Sequence, residues 1–197
     1  MPKPDRSLGA LGGLSRGTLL DSYHGPIPVE DLVEDDLLMT KDDGFQPVRW
    51  IGALRGDAAG GFAPIRVSPG ALGNRRSLIA AQNHRVLISD WRAELLFGER
   101  EVLIPLNTLA NDTTIWRQEG GSVDYFFILM ERHQLLYAED VVVESFDPTP
   151  EALALHGPRA RKDIAEILPK RRGSTARLVL RPTEVAALRL YDMDQIR

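Results

Sequence analysis

Four histidines and no cysteine set narrow limits on what this 197-residue chain can do with its side chains. Without a thiol there is no disulfide framework, no thiolate metal ligand and no cysteine nucleophile. The imidazoles are His24, His84, His133 and His156, and no pair stands at HxH or HxxxH spacing, so no metal site is expected. A GxSxG elbow, a phosphate loop and a dinucleotide fingerprint are all absent, and no cofactor is expected. His24 lies in the turn His24-Gly25-Pro26 and His156 precedes Gly157-Pro158, so both read as surface residues. His133 follows Glu131-Arg132 at the end of an apolar run and reads as a residue held in place by hydrogen bonds. His84 is the candidate acid or base, because Gln82-Asn83-His84 opens directly onto the apolar run Val86-Leu87-Ile88. On residue physics alone, a histidine in such a place more often serves structure than catalysis.

Short strands are the elements that would have to position these groups. Leu37–Thr40, Val48–Ile51, Ile65–Val67, Leu78–Ala80, Arg85–Ile88, Val102–Ile104 and Asp124–Met130 are rich in Val, Ile, Leu and aromatics. They recur at roughly 8–12-residue intervals with turn signals between them, the pattern of an all-β body. Trp50, Ile51, Val86, Leu87, Ile88, Leu103, Ile128 and Leu129 are its expected core. Val29 to Leu37 could hold one helical turn, and the Gly/Ala-rich stretch Arg55–Ala63 reads as a loop. After Asp147 the pattern changes. Thr149 and Pro150 are a helix cap and first-turn residue, Arg159–Leu168 reads as a second helix ended by Pro169, and Lys170–Ser174 as a basic linker. Arg177–Leu180 reads as a strand and Thr183–Tyr191 as a last helix. Residues 1–12 read as a flexible tail rich in Pro, Gly and Ser.

Charge is divided unevenly. Residues 1–147 hold 14 basic and 22 acidic residues (−8), and residues 148–197 hold 10 and 6 (+4), which sum to the chain's −4. An acidic body repels phosphate backbones, so nucleic acid is not favoured as a partner. No apolar run reaches the length of a membrane span, and the Gly-broken start does not suit a signal peptide, which leaves a cytoplasmic protein by default.

Several fragments, in order, resemble a bacterial Hint domain, the autoprocessing module of hedgehog proteins and inteins. They are Gly17-Thr18-Leu19-Leu20, Pro28–Leu32, Asp36–Thr40, Gln46-Pro47-Val48-Arg49-Trp50-Ile51-Gly52, Ala63–Val67 and Pro69–Gly73. The series continues through Gln82–Ile88, Glu94–Gly98, Glu101–Pro105, Asp124–His133 and Ala138–Phe146. The resemblance implies a mainly β fold, a Hint-type horseshoe of short strands over residues 13–147, with residues 148–197 as a mostly helical C-terminal appendage.

It also implies a site. In the family, a Cys or Ser at the first position attacks the preceding carbonyl, and a histidine with a hydroxyl residue three positions earlier polarises the amide and protonates the leaving amine. Here Gly13 occupies the nucleophile position, His84 matches the histidine, Ala81 stands where the hydroxyl would be, and Phe127 replaces a second histidine of the later strand. The terminal His-Asn pair that inteins use for release is also missing from Leu190–Arg197. The expectation is a Hint domain inactive in self-cleavage and splicing, serving as a binding or structural module with an unidentified protein partner. The alternative is an N–O acyl shift with Ser15 as nucleophile and His84 as general acid, or one based on Thr18. Ser15 would require a two-residue slip against His84, and misplacement by even 1 Å can cost about 10²-fold in rate.

Overall fold

Turn residues divide the chain as the sequence suggests, and the runs between them pair as strands. The computed structural model describes residues 11–167 and 175–193, so the expected stop at Pro169 and linker at Lys170–Ser174 lie outside the described residues. The first seven strands are β1 (Leu14–Ser15), β2 (Leu19–Ser22), β3 (Gly25–Pro28), β4 (Leu37–Thr40), β5 (Gly44–Asp57), β6 (Ile65–Val67) and β7 (Leu78–Ala80). The rest are β8 (Arg85–Ser89), β9 (Glu101–Pro105), β10 (Ile115–Arg117), β11 (Ser122–Met130), β12 (Leu135–Ala138), β13 (Val141–Glu144) and β14 (Leu178–Val179). All belong to one sheet in the order β10-β6-β7-β1-β11-β5-β4-β2-β12-β13-β8-β9-β14, with β3 beside β2. β14 runs parallel to β9, placing Leu178 opposite Val102.

Helices are few: α1 (Trp91–Phe97), α2 (Leu106–Leu109), α3 (Pro150–Ala154), α4 (Pro158–Ile167) and α5 (Pro182–Met193). α3 starts as its sequence predicts, with the Thr149 hydroxyl accepting the Ala152 N–H and Pro150 in the first turn. α1 sits inside the β-body and carries its own signals: Asp90 caps its start, and Gly98 at φ 75° ends it in the left-handed conformation. Val29–Asp31 forms one 3-10 turn.

The largest departure from expectation is β5, which runs through the stretch read as a loop as far as Asp57. Its glycines serve packing. A Cβ on Gly52 would lie 2.2 Å from the Trp50 ring, and one on Gly56 2.6 Å from Phe62, so each glycine makes room for an aromatic ring lying across the strand. The strand then pairs with β11 over its full second half, Gly52 opposite Phe127 and Asp57 opposite Ser122.

One core cluster gathers Leu14, Leu20, Leu38, Val48, Ile65, Leu78, Val86, Ile128 and Val143. A second joins Leu11, Trp50, Ala81, Tyr125, Phe127 and Leu129 to Phe146, Ala152 and Ile164. A third sets Ala93, Val102 and Ile104 against Leu180, Val185 and Leu188. The segments after residue 148 therefore pack on the β-body along two fronts, and Leu11, assigned to the tail from sequence, is 1% exposed. Of the expected core, Trp50, Val86, Leu103, Ile128 and Leu129 are buried, whereas Ile51, Leu87 and Ile88 are only half-buried. The pleat turns Ile51 and Leu87 away from the face of buried Trp50 and Val86, while Ile88 shares the Val86 face next to the exposed strand end at Ser89. Among the described residues, no helix is long and apolar enough to cross a membrane.

Leu129→Ala is expected to cost about 2–5 kcal/mol in denaturant unfolding, the range for a fully buried leucine. Leu87→Ala should cost less than half as much. Equal losses would contradict the strand faces assigned here.

Candidate functional site

β1 is only two residues long, yet it lies in the middle of the sheet, between β7 and β11. Leu14 pairs with Ala80 on one side and Phe126 on the other. Gly13, just before it, sits at φ 107°, a conformation that side-chain-bearing residues rarely adopt. A Cβ there would also press to 3.1 Å from the Phe126 carbonyl oxygen and the Tyr125 Cβ, and to 3.4 Å from the Phe127 ring.

The backbone polar groups of Gly13 are satisfied by the turn at residues 81–84. The Ala81 N–H donates to the Gly13 carbonyl at 2.9 Å, and the Gly13 N–H donates to His84 Nδ1 at 3.2 Å. The turn itself closes through the His84 N–H and the Ala81 carbonyl at 3.0 Å. It is anchored from two sides. Gln82 Nε2 donates to the carbonyls of Gly60 and Ala63 at 2.7 and 2.9 Å. The Leu106 and Asn107 N–H groups at the start of α2 donate to the His84 and Gln82 carbonyls.

Accepting at Nδ1 places the imidazole proton on Nε2, which is buried with no hydrogen-bond partner among the described residues. Burial holds the ring neutral. Desolvation lowers the His84 pKa from 6.5 to about 4, opposed by the Glu144 carboxylate and assisted by Arg85 and His133. Phe127 is 2% exposed and Ala81 is fully buried in the same apolar cluster. Gly13, His84 and Phe127 line one cavity of about 250 Å³, together with Glu144, Phe146 and Leu180. Ala81 stands behind it, joined to Gly13 by its N–H.

Ser15 is elsewhere. It lines a separate cavity with Arg16, Thr18, Arg66 and Arg76, in which His84 has no part. The other histidines divide as follows. His24 is exposed, with its ring edge-on to Tyr23. His133 is a structural tie: its Nε2 lies 3.1 Å from the Ser145 carbonyl and 3.2 Å from Glu144, and its Nδ1 accepts the Ala176 N–H at 3.0 Å. Glu144 in turn accepts the Arg85 N–H and pairs with its guanidinium at 2.9 Å.

His156 corrects the surface assignment. It is 4% exposed, because the end of α3 sets its ring edge-on to Trp50, Phe127 and Phe146, with centroids 5.6, 4.7 and 5.4 Å away. Burial holds its pKa below the usual histidine value. No local signal marks it, since Gly157-Pro158 indicates a turn without showing what the turn packs against.

Residues 13–150 match the family described as the Hint domain, over more than half of the chain. The chain belongs to the Hint domain family. Among solved structures, the Hint-domain chain is similar to the mini-intein variant M86 of Ssp DnaB, at 14% identity and a TM-score of 0.49, covering 71% of this chain and 97% of that one. It is also similar to a DnaB intein from Synechocystis sp. PCC 6803, at 13% identity and a TM-score of 0.47, covering 69% and 99%. The gp41-1 intein matches at 12% identity and a TM-score of 0.45, covering 67% and 97%. The search of curated proteins gives no match.

His84 has a folded-state pKa below its unfolded value, so its contribution to stability is complete above pH 6.5 and declines as pH falls toward 4. The full loss over that window is about 3 kcal/mol. His84→Gln, whose side-chain oxygen can accept the Gly13 N–H, should remove this component. The expected readout is a smaller fall in unfolding free energy between pH 7 and pH 4 than in the parent. Identical pH profiles would show that His84 titrates normally.

Proposed function

We propose that this Hint domain has lost its autocatalytic chemistry and acts as a binding or structural module. The observation that carries the reading is the state of the Gly12–Gly13 peptide. Its N–H is held on His84 Nδ1, while the residue that would have to attack its carbonyl has no side chain and a backbone at φ 107°. In this reading Gly13, Ala81 and Phe127 are the disarmed family positions and His84 is the remnant.

The imidazole keeps its place on the amide nitrogen but resists protonation, which a general acid for a departing amine requires. Two rings crowd the side where a polar group would serve, Phe127 and the Phe146 ring at 5.4 Å. Ser15 opens onto a different cavity from His84, so the reading gives it no part in an acyl shift. Residues 13–147 would be the Hint unit, its strands following the family's horseshoe. Residues 148–197 would be a helical addition covering the old site, and the partner would be a protein.

The test is the intact mass of the chain expressed behind an upstream fusion, incubated with and without thiol or hydroxylamine. The fusion is expected to stay uncut in all conditions. Cleavage between Gly12 and Gly13 would overturn the reading. Gly13→Cys alone, and Gly13→Cys with Ala81→Thr and Phe127→His, should separate a missing thiol from a settled backbone. The single change should give no thioester, and it should cost about 1–3 kcal/mol of stability because of the positive φ.

A further inference from the structure

Separate from the cavity that His84 lines, the one that takes in Ser15 has a volume of about 500 Å³ and a lining with no acidic residue. Its charged members are Arg16, Arg66, Arg75 and Arg76, gathered from the turn after β1, from β6 and from the segment before β7. They converge within a part of the chain whose overall charge is −8, from 14 basic and 22 acidic residues over 1–147.

Carboxylates balance three of them from outside the lining. Arg16 pairs with Asp124 at 3.1 Å and reaches Glu30 at 3.8 Å, Arg75 pairs with Asp140 at 3.4 Å, and Arg76 with Glu139 at 3.5 Å. Arg66 has no carboxylate partner among the described residues. Its guanidinium donates to Ser77 Oγ at 3.1 Å and Gln118 Oε1 at 3.4 Å, both neutral.

The hydroxyls of the same lining supply the second observation. Ser15 and Thr18 are 6% and 4% exposed, both line the cavity, and neither hydroxyl has a hydrogen-bond partner among the described residues. Among the described residues, the buried side-chain atoms without a partner are His84 Nε2 and His156 Nε2, so these two hydroxyls still touch the open volume and can donate to an acceptor placed in it. Guanidinium forks and hydroxyl donors around one open volume suit a tetrahedral oxyanion better than a planar carboxylate, because more oxygens can be met at once.

We propose that this groove is a binding site for a phosphoryl group, either inorganic phosphate or a phosphate monoester, held by Arg66, Arg76, Ser15 and Thr18. The site is independent of the chemistry lost at Gly13. The groove is larger than phosphate itself, so a monoester carrying a small polar body fills it better than the free ion.

Calorimetric titration of the full chain with inorganic phosphate, and with a phosphate monoester such as phosphoserine, tests this at constant ionic strength. Sulfate and acetate serve as comparison ions. Saturable binding of phosphate or the monoester is expected, with acetate at least about tenfold weaker. Arg66→Gln, and Ser15→Ala combined with Thr18→Val, should each weaken phosphate binding at least about tenfold, the effect of losing a hydrogen bond to a charged group. Arg161→Gln, on the exposed face of α4, should leave it unchanged. Tighter binding of the monoester would identify a carried phosphoryl group, and equal binding the free ion; both support the site. Absence of saturable binding by either, or equal binding by the parent and Arg66→Gln, would overturn it.

Discussion

The Gly13 N–H cannot reach water, and the imidazole of His84 is what accepts it. This hydrogen bond fixes how a two-residue strand can occupy the middle of a fourteen-stranded sheet. β1 has almost no ladder of its own, so the residue ahead of it relies on the 81–84 turn for both of its backbone bonds. The turn in turn relies on Gln82 and the start of α2. An unpaired buried N–H would cost about 1–3 kcal/mol, a large fraction of the stability of a domain this size. The arrangement therefore uses His84 as an acceptor, and the apolar surroundings keep it one.

That role opposes the one a Hint histidine performs during acyl transfer, where the ring must be able to deliver a proton. Phe127 and the buried Ala81 supply no polar group to share the work, and the aromatic cluster of Trp50, Phe146 and His156 draws the C-terminal helices over the same region. Under the proposed reading, what separates this chain from a working site is more than a missing side chain. The backbone of Gly13 has taken a left-handed conformation against Phe126 and Tyr125, and a nucleophile reintroduced there would meet strain before it met a carbonyl.

The β character of the body and the cap of α3 could be read in the sequence because each depends on local pattern: alternation, turn residues, Thr149 before Pro150. β5 continues through Arg55–Asp57, where the Gly/Ala-rich stretch Arg55–Ala63 reads as a loop, because Gly56 signals a loop when its neighbours are unknown and makes room for Phe62 once they are known. α1 was missed although Asp90 and Gly98 bracket it, since seven residues with apolar side chains still exposed at Leu95 and Leu96 show little amphipathic pattern. The burial of His156 depends on three rings more than ten residues away in every case but Phe146, and no local rule reports it. At the site, only the order of the family fragments singled out Gly13, Ala81, His84 and Phe127. Their mutual contact, and the hydrogen bond at its centre, are products of the sheet.

The protonation state and tautomer of His84 test this arrangement most directly, and they can be read by two-dimensional ¹H–¹⁵N NMR of the imidazole nitrogens in the intact chain. At pH 6.5 the ring should be neutral, with its proton on Nε2, an unprotonated Nδ1 and a titration midpoint near 4. An imidazolium at that pH, or a neutral ring protonated at Nδ1, would mean that the Gly13 N–H is not held by His84, and the constraint on which the proposed loss of chemistry rests would be absent.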